Sequence, residues 1–198
     1  MKVIFLDIDG VLNSTGSCLG RTGRRWEALN GTEDQICEWS EQLLVLNGGE
    51  FGYGQLQTFQ TIDPTAVELI NRLLEKASAC IVLSSTHRMF FADHVTKIAY
   101  GSPQHLQALR LYLKLLGLEG DRLIGITPRL HTRRGLEVRE HIETCGLEFE
   151  AHVAIDDGGD FEKDDCVHHL VDAKLGFTAG DYFACAKILG VDESVIIT

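Results

Sequence analysis

Short apolar runs alternate with amphipathic helices along this chain, and that order restricts the fold more than any other feature of the sequence. Lys2–Leu6 carries Val, Ile, Phe and Leu without polar alternation, which is typical of a strand buried on both faces. Ala79–Leu83 has the same character, and the helix predicted before it, Pro64–Lys76, has its apolar residues on one side. This alternation predicts an α/β fold in three layers around a doubly wound parallel sheet.

The same pattern continues through the rest of the chain. Further strands are predicted at Leu123–Ile126, His152–Ile155 and Val167–Val171. Further helices are predicted at Glu33–Leu46, Gln104–Leu116, Arg134–Cys145 and Ala179–Leu189. We therefore expect residues 1–198 to form a single domain.

Residues 14–61 interrupt this pattern. Nine of the 20 glycines lie between Gly10 and Gly54, and the segment NGGEFGYG indicates turns or a hairpin. The segment carries one predicted helix but no complete strand–helix unit. We expect it to be an insertion or a small cap after the first strand.

Composition is that of a globular protein, with 44% hydrophobic and 24% charged residues. The chain has 18 basic and 29 acidic side chains and a net charge of −11. This charge argues against extended nucleic-acid binding and against a protein that binds membranes through a polybasic surface. No apolar run reaches the length of a spanning helix, and acidic residues interrupt the first apolar stretch, unlike a signal peptide. The six cysteines form no CxxC pair, so we expect free thiols in a cytoplasmic protein.

Charge is unevenly distributed. Residues 86–140 hold 9 basic and 5 acidic side chains, whereas residues 141–198 hold 3 basic and 13 acidic ones. Solvated helix faces are one explanation of this asymmetry, and a basic pocket for a phosphate is the other.

Polar residues follow three of the predicted strands directly. They are Asp7-Ile8-Asp9, Ser84-Ser85-Thr86 and Asp156-Asp157. In an open parallel sheet, ligands bind beyond the carboxyl ends of the strands. If these strands are neighbours, four carboxylates meet there and repel one another, and a hard cation such as Mg²⁺ is their natural partner.

The string Asp7-Ile8-Asp9-Gly10-Val11-Leu12 after an apolar strand resembles the first motif of the haloacid dehalogenase-like (HAD) phosphatase superfamily. The resemblance implies that Asp7 is a nucleophile that forms an aspartyl-phosphate and that Asp9 is the general acid. It also implies that Ser84, or Ser85 if the register differs by one, binds the phosphoryl group. One or both of Asp156 and Asp157 would hold Mg²⁺ together with Asp7 and Asp9.

One element of the superfamily pattern is missing. Its third motif is normally a lysine, but no lysine lies between Lys114 and Lys163. The resemblance therefore assigns this position to an arginine, with Arg134 as first choice and Arg133 as second, because a guanidinium can also bind phosphate. Arg88 is expected to have a phosphate-binding or a structural role.

Three longer strings narrow the resemblance. DPTAVELINRLLEKASACIVLSSTHR, GITPRLHTRRGLEVREHI and LVDAKLGFTAGDYFACAKILG are similar to the subgroup called the HAD domain in Swiss Army Knife RNA repair proteins. The likeness covers about residues 1–13 and 62–190 and leaves out 14–61. One departure is His87 before Arg88, where the subgroup often has Trp.

The subgroup implies a Mg²⁺-dependent phosphomonoester hydrolase that acts on nucleotides or on 3′-phosphate ends of nucleic acid. A phosphatase of small metabolites is an alternative within enzymes. A non-catalytic binding or regulatory protein on the same scaffold is the third reading. The intact acidic set argues against that reading, and the missing lysine argues slightly for it.

Overall fold

The computed structural model describes residues 1–19, 31–92, 97–130 and 133–192. Within these ranges five strands form one sheet in the order β3-β2-β1-β4-β5, and every neighbouring pair is parallel. The strands are β1 (Lys2–Leu6), β2 (Ala79–Leu83), β3 (Leu123–Ile126), β4 (Ala151–Asp156) and β5 (His168–Leu170). The α/β class and the parallel sheet expected from the sequence are confirmed.

Seven α-helices lie within the described ranges. They are α1 (Thr15–Leu19), α2 (Glu33–Leu46), α3 (Tyr53–Thr61), α4 (Pro64–Ala77), α5 (Pro103–Leu115), α6 (Arg134–Thr144) and α7 (Ala179–Ile188). The predicted strands and helices agree with these bounds to within two residues. Local signals explain this agreement: at α4, for example, the Asp63 carboxylate accepts a hydrogen bond from Thr65 N at 2.8 Å, and Pro64 occupies the first turn.

Side chains alternate across the central strand and so divide the core in two. Ile4 and Leu6 belong to the larger apolar cluster, which includes residues of α4, α5 and α7. Val3 and Phe5 point to the smaller cluster, where they meet Val138 of α6. The sheet therefore lies between two helical layers, because period-two alternation buries both of its faces.

The hairpin alternative for the segment NGGEFGYG is wrong. Turns follow α2, with positive φ angles at Gly48 (78°) and Gly49 (103°), and the chain then enters α3. The Gln55 side chain accepts a hydrogen bond from Gly52 N at 2.7 Å and so caps α3. This cap satisfies one of the amide groups at the start of α3, and Phe59 of the helix packs into the larger apolar cluster.

The described parts of segment 14–61 pack on the domain. Ile36 and Leu43 of α2 and Phe59 of α3 are buried in the larger apolar cluster. Residues 20–30 of the segment lie outside the described residues, and its role as a cap stays a prediction. In the described part of the chain, no helix combines the length and the apolar character needed to cross a membrane.

Candidate active site

The three central strands deliver their polar ends to one edge of the sheet. The register pairs Leu6 with Leu83 of β2 and with Ile155 of β4, so Asp7, Ser84 and Asp156 follow at the same level. Backbone hydrogen bonds continue the sheet one step further: Asp7 N donates to Ile155 O at 3.0 Å, and Ser84 N donates to Leu6 O at 2.9 Å. The strand neighbours required by the sequence argument are therefore present.

Three carboxylates form a cluster at this edge. Asp7, Asp156 and Asp157 each offer an oxygen, and these atoms lie within 4.8 Å of one another. One Asp156 oxygen accepts a hydrogen bond from Gly158 N at 2.7 Å, while the other, Oδ2, is buried and has no hydrogen-bond partner in the described parts of the chain. Burial, followed by the nearby charge of Asp7, raises the pKa of Asp156 to about 7. Burial also raises the pKa of Asp7 and of Asp157.

This cluster fits a divalent cation. Asp156 Oδ2 is buried without a hydrogen-bond partner within the described ranges, and burial raises the pKa of all three carboxyl groups, so their ionised forms need nearby positive charge. Carboxylate oxygens are the ligands that Mg²⁺ prefers. The donor set therefore matches the metal that the sequence predicts.

The Asp9 side chain lies outside this cluster. Its Oδ2 is 3.0 Å from His87 Nε2, and its Oδ1 accepts a hydrogen bond from Asn13 Nδ2 at 2.7 Å. The hydrogen bond with His87 is the main reason why the pKa of Asp9 is lowered. Asp9 was expected among the metal ligands, but the structure directs its side chain to these two partners and leaves 57% of it exposed.

Gly10 is the residue that permits this local geometry. Its φ of +75° lies in the left-handed region, and a Cβ at this position would come within 2.1 Å of Asp157 Oδ2. Asn13 Oδ1 accepts a hydrogen bond from Gly10 N at 3.0 Å and fixes the turn. A side chain here would therefore displace Asp157 from the acidic cluster.

The two serines after β2 have different surroundings. Ser84 Oγ is buried and has no hydrogen-bond partner among the described residues. The Ser85 side chain makes a hydrogen bond with Asp7, and its Oγ accepts one from His87 N at 3.3 Å. The Ser84 hydroxyl is therefore an unused hydrogen-bonding group at the strand end, whereas the Ser85 hydroxyl contacts Asp7.

Arg134 reaches the acidic cluster from the first turn of α6. Its Nη1 lies 3.6 Å from Asp7 Oδ1 and 3.6 Å from Asp156 Oδ2, and it also contacts the Ser84 carbonyl oxygen. The Asp160 carboxylate accepts a hydrogen bond from Arg134 N at 2.8 Å and so caps the helix that carries this arginine. The structure thus brings the first of the two candidate arginines into the site.

The other two arginines have partners elsewhere. Arg133 pairs with Glu162, and its Nη2 lies 3.8 Å from Asp165. Arg88 is buried, donates from Nη1 to Ser84 O at 3.0 Å and to Ser85 O at 2.9 Å, and pairs through Nη2 with the buried Glu137. These contacts support a structural role for Arg88, which holds the backbone carbonyl groups of Ser84 and Ser85 in place.

Sequence reasoning did not find His87, Tyr112 and Asn13 as members of the site. His87 Nδ1 lies 2.9 Å from the Tyr112 hydroxyl, and its Nε2 faces Asp9. Tyr112 lies in an apolar helix, where its sequence context indicates only a core residue. Position 87, where the sequence departs from the subgroup, was the one available signal.

A parallel sheet with an acidic cluster and a strand-end serine is the arrangement expected of an HAD-type hydrolase. The family model described as "HAD domain in Swiss Army Knife RNA repair proteins" matches residues 3–182, and the chain belongs to this family. The matched range includes residues 14–61, which the sequence resemblance left out. No curated protein and no solved structure gave a significant match.

Proposed function

We propose that this protein is a Mg²⁺-dependent phosphomonoester hydrolase that works through an aspartyl-phosphate at Asp7. The observation that carries the proposal is the position of the Asp7 carboxylate. It lies 3.6 Å from the Arg134 guanidinium and within 4.8 Å of the carboxylates of Asp156 and Asp157. Ser84, whose hydroxyl has no hydrogen-bond partner among the residues that the structure describes, follows the neighbouring strand at the same level. Such a site can hold a phosphoryl group against a carboxylate nucleophile.

Asp7, Asp156 and Asp157 are the residues that would hold Mg²⁺. When bound, the ion supplies positive charge that offsets the repulsion between a phosphate and these carboxylates. Without such charge, burial raises the pKa of Asp7 and so favours its protonated form, whereas a carboxylate nucleophile must be ionised.

The chain's own residues then account for two steps. In the first, an Asp7 oxygen forms a bond to phosphorus while the ester P–O bond breaks, and Asp9 gives its proton to the departing oxygen. In the second, Asp9 takes a proton from water, whose oxygen displaces the Asp7 carboxylate and releases inorganic phosphate. Arg134 and Ser84 bind the phosphoryl oxygens throughout and stabilise the charge on them.

Nucleotides or 3′-phosphate ends of nucleic acid are the proposed substrates. The family description names RNA repair proteins, and residues 86–140, which include Arg134, carry an excess of basic over acidic side chains. The net charge of −11 favours a single phosphate or a short end over an extended strand.

Replacement of the nucleophile tests the reaction. We expect Asp7→Asn to reduce Mg²⁺-dependent hydrolysis of p-nitrophenyl phosphate on the order of 10⁴-fold, because the covalent intermediate cannot form. The matched control is Asp164→Asn, which changes an exposed aspartate outside the site. Asp9→Asn provides a second measurement: the phosphoryl group should accumulate on the peptide that contains Asp7 and be detected by mass spectrometry.

Two results would contradict the proposal. One is full turnover by Asp7→Asn, and the other is a phosphoryl group on a residue other than Asp7. A wild-type chain that binds Mg²⁺ but turns over no phosphomonoester would favour the non-catalytic reading.

A further inference from the structure

We propose that His87 is a positioning residue. Its Nε2 donates a hydrogen bond to the Asp9 carboxyl group and holds this group toward the leaving group. This inference rests on the proposed function, in which Asp9 is the general acid. His87 itself is buried with 4% of its surface exposed, so it acts through Asp9 and not on the substrate.

The hydrogen-bond partners determine which ring nitrogen of His87 carries the proton. In the step in which Asp9 takes a proton from water its carboxylate is ionised and only accepts hydrogen bonds, so the 3.0 Å contact between Asp9 Oδ2 and His87 Nε2 then requires the proton at Nε2. In the neutral ring Nδ1 is then an acceptor, and the Tyr112 hydroxyl donates to it over 2.9 Å. The Tyr112 hydroxyl also forms a hydrogen bond with the Thr58 side chain. Hydrogen bonds therefore link Thr58, Tyr112, His87 and Asp9 in one continuous chain.

Packing holds the imidazole in this place. The ring of His87 lies 4.7 Å from that of Phe90 and 5.9 Å from that of Tyr112, measured between centroids. Tyr112 is fully buried, and its ring also contacts Phe59 of α3 and Phe91. A donor fixed on a rigid aromatic cluster can orient an otherwise exposed carboxyl group.

Asn13 completes the arrangement from the other side. Its Nδ2 donates to Asp9 Oδ1 at 2.7 Å, so each Asp9 oxygen has one fixed donor. These two donors hold Asp9 outside the cluster of Asp7, Asp156 and Asp157. The side chain so held is still 57% exposed, so a substrate can reach its carboxyl group.

Two substitutions separate the contacts of the two ring nitrogens. The amide of Gln reaches the position of Nε2, so His87→Gln preserves a donor to Asp9. The shorter amide of Asn reaches only the position of Nδ1, so His87→Asn preserves the Tyr112 contact and removes the donor. Both variants are neutral and polar, and circular dichroism melts verify that they fold.

The readout is kcat/KM for p-nitrophenyl phosphate and for glycerol phosphate, measured at saturating Mg²⁺. The alkoxide leaving group of glycerol phosphate needs a proton, whereas p-nitrophenolate needs little assistance. We expect His87→Asn to lower kcat/KM about tenfold more for glycerol phosphate than for p-nitrophenyl phosphate, and His87→Gln to recover most of this difference. If His87→Asn fails to fold, Tyr112→Phe should change the same ratio in the same direction by a smaller factor.

Equal losses on both substrates would overturn the inference, because a merely structural role lowers the two rates together. Failure of Gln to recover more than Asn would overturn it as well. Both results leave the proposed function intact as long as the wild-type chain turns over substrate and Asp7→Asn does not. A wild-type chain without turnover overturns both proposals.

Discussion

Asp156 is a buried member of the acidic cluster whose charge the neighbouring groups compensate only in part. Its Oδ2 is buried and has no hydrogen-bond partner among the described residues, and its pKa is raised to about 7 from an ordinary value of 3.8. Arg134 at 3.6 Å offsets only part of the cost of burial and of the Asp7 charge. When no cation is bound, the ionised Asp156 carboxylate therefore lowers the free energy of unfolding.

The stability of the chain should therefore depend on pH and on Mg²⁺ together. Between pH 3.8 and about 7 the folded state binds more protons at Asp156 than the unfolded state does, so the free energy of unfolding falls as pH rises. Mg²⁺ binds the ionised form, and its stabilisation should be larger at about pH 8 than at about pH 6. At a hundredfold excess over Kd we expect about 2.7 kcal/mol, which raises Tm by roughly 5 to 10 °C.

Thermal melts in EDTA and in Mg²⁺ measure this effect. Asp156→Asn keeps an acceptor for Gly158 N and removes the buried charge, so it should raise Tm in EDTA near pH 8. The same variant should lose the increase in Tm that Mg²⁺ causes. Asp164→Asn is the control that should retain the shift. An unchanged Mg²⁺ shift in Asp156→Asn would argue against the metal site.

At the scale of elements, the start of α6 decides which arginine enters the site. Asp160 caps the first amide of the helix, at Arg134, and Gly135 lets this turn approach Asp165, where a Cβ would come within 2.3 Å of the carboxylate. Successive residues at a helix start point in different directions. Arg134 therefore faces Asp7, whereas Arg133 faces Glu162.

A pair of alanine substitutions tests this assignment. Arg134→Ala should lower kcat for p-nitrophenyl phosphate on the order of 10²-fold, because it removes the donors closest to Asp7. Arg133→Ala should stay within about threefold, because the partners of Arg133, Glu162 and Asp165, lie outside the acidic cluster. Steady-state kinetics at saturating Mg²⁺ provides the comparison, and a larger loss in Arg133→Ala would reverse the assignment.

At the scale of the whole molecule, charge limits the size of the substrate that can be held. The net charge of −11 repels a long polyanion, while the excess of basic side chains in residues 86–140 attracts a local phosphate. The contacts of Arg88, Arg133 and Arg134 further reduce the free basic surface, since each of these arginines has an acidic partner. A terminal phosphate fits this distribution better than a strand bound along its length.

Salt dependence distinguishes the candidate substrates. For a 3′-phosphorylated oligonucleotide we expect kcat/KM to fall several-fold between about 50 and 200 mM salt, and for the matching 3′-mononucleotide to change less. Identical values and identical slopes would indicate a nucleotide or small-metabolite phosphatase. A loss of about 10³-fold or more would indicate extended strand contact and contradict the charge argument.

Much of the fold could be predicted because its signals are local. Buried strands such as β2 are recognisable from apolar runs, and α4 from its Asp63–Pro64 start. The missed helix α3 has a weaker signal, since glycines surround its first residue and its buried face is short. Its structure depends on packing of Phe59 against Tyr112, more than 50 residues away in sequence.

The sequence alone determined the class of fold, the family resemblance and the residue types at the strand ends, because these follow from hydrophobic periodicity and short motifs. Tertiary structure decided which of these residues meet. It grouped Asp7 with Asp156 and Asp157, directed Asp9 to His87, and selected Arg134 over Arg133. The reason is physical: side-chain contacts and buried charge depend on distances between segments far apart in sequence, and only the register of the sheet and the packing of the helices set those distances.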